Sequence, residues 1–362
     1  MPPFDEYVNE IRSLWESRML TNGGEKHAAL EAALGAFFGE PHLSLCVNGH
    51  SGLEGILDVL GLTGEVITTP FTFASTTNAL VRRGLTPVFC DIRPDDYTLD
   101  PTKLEAKITP RTSAIVAVHV YGNLCHTEEI EAVAKKHGLN VIYDAAHAFG
   151  VTKNGLSAAA FGDAAMFSFH ATKVFHTIEG GAAVFRSAET KEAFDRWKNF
   201  GLQGDAAEVF GPNAKMNEFA AAMGICNLRH IEESVAARKA AADRYRENLR
   251  SVKGLALPPV QPGVKSNYAY FPVVIDPAAF GRTRDALRDA LAAENVSARR
   301  YFYPLTSLSP AFGGRYAAAD TPVAARVAEN VLCLPLYEGL TDADIDRVCG
   351  VIIRNSECGI RN

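Results

Sequence analysis

The sequence predicts an α/β fold: a large domain built on a mostly parallel, doubly wound seven-stranded sheet, followed by a smaller C-terminal α+β domain. Three observations carry this expectation. Seven short apolar runs, several rich in Val and Ile, recur between residues 43 and 186. They are continuously apolar rather than alternating, as strands buried on both faces are. Helical patterns fall between them, and a β-α-β-α order implies parallel strands joined by crossover helices. A long helical stretch then leads into a second, shorter alternation. The chain has 362 residues, 47% hydrophobic and 22% charged, which is enough for two cores.

The strand candidates are LSLCV (43–47), EVITT (65–69), PVFCDI (87–92), SAIVAVHV (113–120), NVIYD (140–144), AAMFSF (164–169) and AAVFR (182–186). Helical patterns occupy 25–38, 51–60, 74–84, 127–137 and 189–199. The last two strands are separated by a loop too short for a crossover helix, so part of the sheet is expected to be antiparallel. Residues 216–250 have apolar positions at helical spacing and few breakers, and predict one long helix. KGLALPPVQPGVKS (253–266) is a Pro- and Gly-rich loop. Beyond it, KSNYAYFPVVID (265–276) restarts as strand, a helix follows near 283–294, VSARRYFYP (296–304) offers a further strand, and a last helix lies near 341–354. The expected division is a large domain over 1–240 and a small one over 241–362.

Composition excludes several function classes. The formal net charge is −6, which gives no electrostatic case for nucleic-acid binding. Seven scattered cysteines, with no C-x-x-C, fit reduced thiols in a cytoplasmic protein better than a disulfide framework. The charged start MPPFDEYVNEIRSLW lacks the apolar core of a signal peptide. No run of 18 apolar residues predicts a membrane span. No His, Cys, Asp or Glu cluster has metal-ligand spacing, so no metal is expected.

The chemistry centres on SFHATKVFHTIEGG (168–181), where Lys173 stands between two buried strands. A desolvated amine has a lowered pKa and attacks carbonyls to form Schiff bases. An ordinary solvated loop lysine is the alternative. In IYDAAHAFG (142–150), Asp144 ends an apolar strand, where open α/β sheets place ligands. A carboxylate there can hold a pyridinium nitrogen protonated, or simply cap a helix. His147 follows three residues on. VNGHSGLEGIL (47–57) is a strand, turn and helix whose first N–H groups can cup a phosphate, with His50 and Ser51 at the helix start. TTPFTFASTTNAL (68–80) places Phe73 at another strand–helix junction, where it can stack on a heterocycle or pack in the core.

These features follow one another as in pyridoxal-phosphate enzymes of the aspartate-aminotransferase-like fold, fold type I. With GPNAKMNEFAAAMG (211–224), LCLPLYEGLTDADIDRV (332–348) and RMLTNGG (18–24), the sequence resembles the DegT/DnrJ/StrS sugar aminotransferases over nearly its whole length. The most specific element is Ser-Phe-(x)3-Lys followed by Glu-Gly-Gly. The resemblance implies that Lys173 carries pyridoxal 5'-phosphate as a Schiff base and later moves the proton. It makes Asp144 the partner of the ring nitrogen and sets His147 near the ring hydroxyl. Ser168, His50 and Ser51 become phosphate ligands, and Phe73 lies on the ring face. Asn213 matches a residue that reaches the phosphate of the neighbouring subunit, which implies a homodimer with a shared active site. Ile178 departs from the usual Gly-Glu-Gly-Gly, Pro212 follows Gly211, and Lys215 stands where Arg is common.

A branch of the family with histidine in place of the lysine dehydrates or deoxygenates sugars. Here Lys173 is kept, and His170 and His176 are out of register with it, which favours transamination. The implied reaction is ping-pong transfer from L-glutamate to a keto-sugar, most simply a dTDP-linked 4-keto-6-deoxyhexose. Asn22 and the run Arg299, Arg300, Tyr301 and Tyr303 are the expected substrate contacts, although a surface strand with solvated arginines would look the same. A 3-keto nucleotide sugar, a keto-cyclitol or a small keto-phosphate are alternative acceptors. A non-catalytic, cofactor-binding regulatory protein is the alternative from another class.

Overall fold

The computed structural model describes residues 1–357. Its centre is a seven-stranded sheet. The strands are β1 (Leu43–Cys46), β2 (Glu65–Thr68), β3 (Thr86–Phe89), β4 (Thr112–Val118), β5 (Asn140–Asp144), β6 (Ala164–Ser168) and β7 (Gly181–Phe185), in the spatial order β1-β7-β6-β5-β4-β2-β3. Strands β2 to β6 pair in parallel. β7 runs antiparallel to both β6 and β1, as the short connection between β6 and β7 requires.

Alternate residues of these strands enter two cores. Leu45, Ile67, Ile115, Tyr143, Phe167 and Val184 face the helices Glu25–Phe38 and Thr127–His137. Cys46, Val66, Val116, Ile142, Met166 and Phe185 face the helices Gly49–Val59, Ala74–Arg82 and Ala188–Trp197. Burial on both faces explains why the strands are apolar throughout. All six cysteines among the described residues are free and buried; Cys358 lies outside them.

The predicted helix over 216–250 is two helices, Glu218–Arg229 and Ile231–Leu249. His230 leaves helical geometry at φ −106°, ψ 6°. Its N–H bonds the Asn227 carbonyl three residues back, so the turn tightens and the chain changes direction. Residue 240 falls inside the second helix, whose Ala241, Ala242, Tyr245 and Leu249 pack into a third core. That core lies on a small antiparallel sheet of β8 (Leu255–Ala256), β9 (Phe271–Ile275) and β10 (Val331–Leu334), with helices Arg284–Ala293 and Asp342–Glu357.

The expected strand over 296–304 does not form. Arg299 pairs with Cys333 at a single bridge, and the chain then turns away, so its backbone has no continuous edge to join. A fourth cluster, including Phe71, Tyr121, Phe302, Leu305 and Val327, fastens the C-terminal part to the large sheet.

Candidate active site

The carboxyl edge of the large sheet borders a cavity of about 340 Å³. β5 delivers Asp144 to it, the turn after β5 delivers His147, and the loop from β6 to β7 delivers Ser168 and Lys173.

Lys173 is half-buried, and its Nζ has no hydrogen bond or ion pair among the described residues. Burial lowers its pKa from 10.5 to about 8, with the Asp144 charge opposing the shift. The loop that holds it is tied at both ends. Phe169 N–H donates to the Gly180 carbonyl, Thr177 N–H to Phe169, and Lys173 N–H to His170.

Asp144 is buried, and its two oxygens are separately held. Thr76 Oγ1 donates to one at 2.7 Å and the Ala146 N–H to the other at 3.1 Å. Thr76 Oγ1 also lies 2.8 Å from Thr72 Oγ1. Burial raises the carboxyl pKa above its ordinary value, while Thr76, the Ala146 N–H and the Lys173 charge pull it down. Asp144 caps no helix, because the chain turns over residues 145–150 instead.

His147 Nδ1 accepts the Tyr121 N–H at 3.1 Å. Burial first, and then the Lys173 charge, hold its pKa well below 6.5, so the ring is neutral. A neutral ring that accepts at Nδ1 carries its proton on Nε2. Tyr270 meets the ring edge-on at 4.9 Å and Phe302 stacks on it at 5.7 Å. These contacts fix the ring's orientation.

The helix Gly49–Val59 begins beside the end of β6. A Cβ at Gly49 would lie 2.9 Å from Ser168 Cβ and from Met166 Sδ, so only glycine permits this approach. Asn48 caps the helix by accepting the Ser51 N–H at 2.8 Å. The Gly49 and His50 N–H groups have no intrahelical partner and lie beside Ser168 at the cavity edge. His50 Nδ1 lies 2.9 Å from Ser75 Oγ. This cradle, with the unpaired amine and the buried carboxylate, fits a phosphorylated pyridine aldehyde. Phe73, 59% exposed, lines the same cavity.

The remaining expected residues lie in different places. Ser51 does not line the cavity, and its N–H is spent on the cap. Asn22 is exposed, at φ 67°, and lines neither this cavity nor its neighbour. Asn213 is exposed and bridges backbone to Asn199, outside this chain's own cavity. Arg299, Arg300, Tyr301 and Tyr303 line an adjoining cavity of about 870 Å³. The two cavities share Thr72, Phe73, Tyr301 and Phe302. The motif reading passed over Thr76, Tyr121 and Tyr270. Thr76 lies within the quoted TTPFTFASTTNAL, but its partner is 68 positions away.

An unpaired amine, a strand-end carboxylate and a helix-start cradle at one sheet edge define a pyridoxal-phosphate-dependent enzyme of the aspartate-aminotransferase-like fold. The model of the "DegT/DnrJ/EryC1/StrS aminotransferase family" matches residues 4–353. A dTDP-4-amino-4,6-dideoxy-D-glucose transaminase of Shigella dysenteriae is 41% identical over 97% of this chain and 96% of its own length. A GDP-perosamine synthase of Caulobacter vibrioides is 31% identical over 96% and 94%. Among solved structures, DesI in the presence of its TDP-sugar product superposes with a TM-score of 0.94 at 37% identity, covering 100% of this chain and 91% of that one. The chain belongs to the DegT/DnrJ/EryC1/StrS aminotransferase family and is a pyridoxal-phosphate-dependent aminotransferase.

Proposed function

We propose that the chain transfers an amino group from L-glutamate to C4 of a dTDP-linked 4-keto-6-deoxyhexose. The observation that carries this reading is Lys173: an amine with no partner among the described residues, in one cavity with Asp144 and His147, opening onto a larger arginine-lined cavity. The names of the relatives from Shigella dysenteriae and Escherichia coli, both dTDP-4-amino-4,6-dideoxy-D-glucose transaminases, support the sugar and the carbon. DesI, which also carries a TDP-sugar, supports the nucleotide.

The bound cofactor would supply an electron sink for a carbanion. Asp144, anchored by Thr76 and Ala146, is the anion that keeps a ring nitrogen protonated. His147 would offer its Nε2–H to a ring hydroxyl. Gly49, His50 and Ser168 would hold the phosphate, and Phe73 would cover the ring. Lys173 would tether the cofactor, and its amine, with a pKa of about 8, would accept and return a proton near neutral pH. The 2-oxoglutarate left by the donor would depart before the keto-sugar enters, with the amino group retained at the site, so the kinetics would be ping-pong.

We also propose a cytoplasmic homodimer in which Asn213, exposed on its own subunit, completes the phosphate site of the other. The division at 240/241 and a substrate role for Asn22 belong to the same proposal. The test is a visible spectrum of the cofactor-loaded protein before and after L-glutamate, followed by a screen of keto-sugars. Loss of the visible band with glutamate, and product only from the dTDP-4-keto sugar, is the expected result. A band indifferent to glutamate overturns the donor. Turnover of a GDP-linked or 3-keto sugar instead overturns the acceptor.

A further inference from the structure

The turn that carries His147 is held from the C-terminal part of the chain. Residues 145–150 follow β5 and form no helix. Two of their carbonyls, on His147 and Phe149, bond no backbone N–H among the described residues. Asn267 partners both. Its Nδ2 donates to the His147 carbonyl at 2.8 Å and to the Phe149 carbonyl at 2.9 Å. Its Oδ1 accepts the Ala269 N–H at 3.1 Å. The side chain is 1% exposed, so these bonds take the place of water. A flipped amide would aim its oxygen at two carbonyls, which fixes the orientation.

Three segments meet at this one amide. The first is the His147 turn. The second is the approach to β9, whose Phe271, Val273 and Ile275 belong to the third core. That approach also carries Tyr270, the ring that meets His147 edge-on. The third is the turn after β4. There Gly122 has φ +88°, and a Cβ on it would lie 2.8 Å from Asn267 Oδ1 and 3.1 Å from the His147 carbonyl. Only glycine lets the three come this close. Its neighbour Tyr121 gives its N–H to His147 Nδ1. The backbone of His147 is thus held by Asn267, and its ring by Tyr121 and Tyr270. Asn267 lines neither of the two larger cavities and faces Lys173 only across a void of about 10 Å³.

We infer that Asn267 is a positioning residue for the cofactor site. By bonding the His147 and Phe149 carbonyls it fixes where the His147 Nε2–H points, and so the strength of the bond that group makes to a ring hydroxyl. This inference rests on the placement of His147 at that hydroxyl proposed above.

The test is a pH titration of the visible band of the cofactor-loaded protein. Weakening a hydrogen bond to the ring oxygen leaves more negative charge beside the Lys173 nitrogen, which then holds its proton more tightly. His147→Ala is therefore expected to raise the midpoint by about half a pH unit or more. Asn267→Ala is expected to raise it by part of that amount, and to add nothing when His147→Ala is already present. Asn267→Leu, uncharged and close in volume, gives the same comparison if the alanine variant folds poorly. A shift with His147→Ala but none with either Asn267 variant, whatever their melting temperatures, overturns the positioning role and leaves the His147 reading intact. So does an Asn267→Ala shift that persists in full beside His147→Ala. No shift with His147→Ala overturns the His147 reading, and the role of Asn267 with it.

Discussion

Two lysines, one in the loop between β6 and β7 and one beside β1, show how burial can serve structure or chemistry. Lys198 is 7% exposed, and its ammonium is fully engaged. It meets Asp195 at 2.8 Å, Ser44 Oγ at 2.7 Å and the Leu45 carbonyl at 3.0 Å. Lys173 is less deeply buried but has no such partners, and its pKa falls to about 8. The compensated cation ties the helix Ala188–Trp197 to β1. The uncompensated one is left as a nucleophile and base. Partnering, more than depth, separates the two roles.

The largest expected effect is on the unpartnered lysine. Lys173→Met should lower the rate of amino transfer by about 10³-fold or more, measured in single turnover with L-glutamate. Retention of more than a tenth of the wild-type rate would break the contrast. Asp144→Asn keeps the shape but removes the charge, and should lower the same rate by about 10²-fold. Lys198→Met should leave the rate per loaded site unchanged and destabilise the fold by about 2 kcal/mol in urea, since it strips a charge-assisted contact from Asp195 and Ser44. A rate loss without a stability loss would reverse the assignment of the two lysines.

Smaller effects sharpen the picture. Thr76→Val removes the hydroxyl bonded to Asp144 and should lower kcat about tenfold with little change in KM. A change confined to KM would mean that Thr76 contacts substrate instead. The smallest effect is on the pH dependence of the cofactor-free protein. Lys173 has a folded pKa of about 8 against 10.5 when unfolded, so between these values the unfolded chain binds more protons and stability rises with pH. The cost of burying the charge is fully present below pH 8 and is relieved as the pH approaches 10.5. Melting scans should therefore show unloaded Lys173→Met above wild type at pH 7, with the gap closing over that window. A constant gap would mean that the lysine is solvated.

Most of the architecture was legible because the central strands are buried on both faces. Their apolar runs lie within two or three residues of β1 to β7. The small domain was harder. β10 and the helix Pro322–Asn330 are short, four and nine residues, and offer little length from which to read a pattern. His230 divides a stretch whose helical pattern continues on either side. At the site, Lys173, Asp144 and His147 were legible as local motifs. Thr76 on Asp144 and the Tyr121 N–H on His147 were not, because such bonds join positions 68 and 26 apart and leave no local pattern.

The reversed strand β7 has a consequence for how such a protein can change over generations. Because β6 and β7 run in opposite directions, the segment between them leaves and re-enters the sheet at one edge. Phe169 and Gly180 close it with a backbone hydrogen bond that depends on no particular side chain. Within it Phe175 and Thr177 are fully buried, but the residues that face the cavity, the lysine included, can be exchanged without redirecting any strand. Selection on this scaffold can alter the reaction by editing one pinned loop while inheriting the rest of the molecule unchanged.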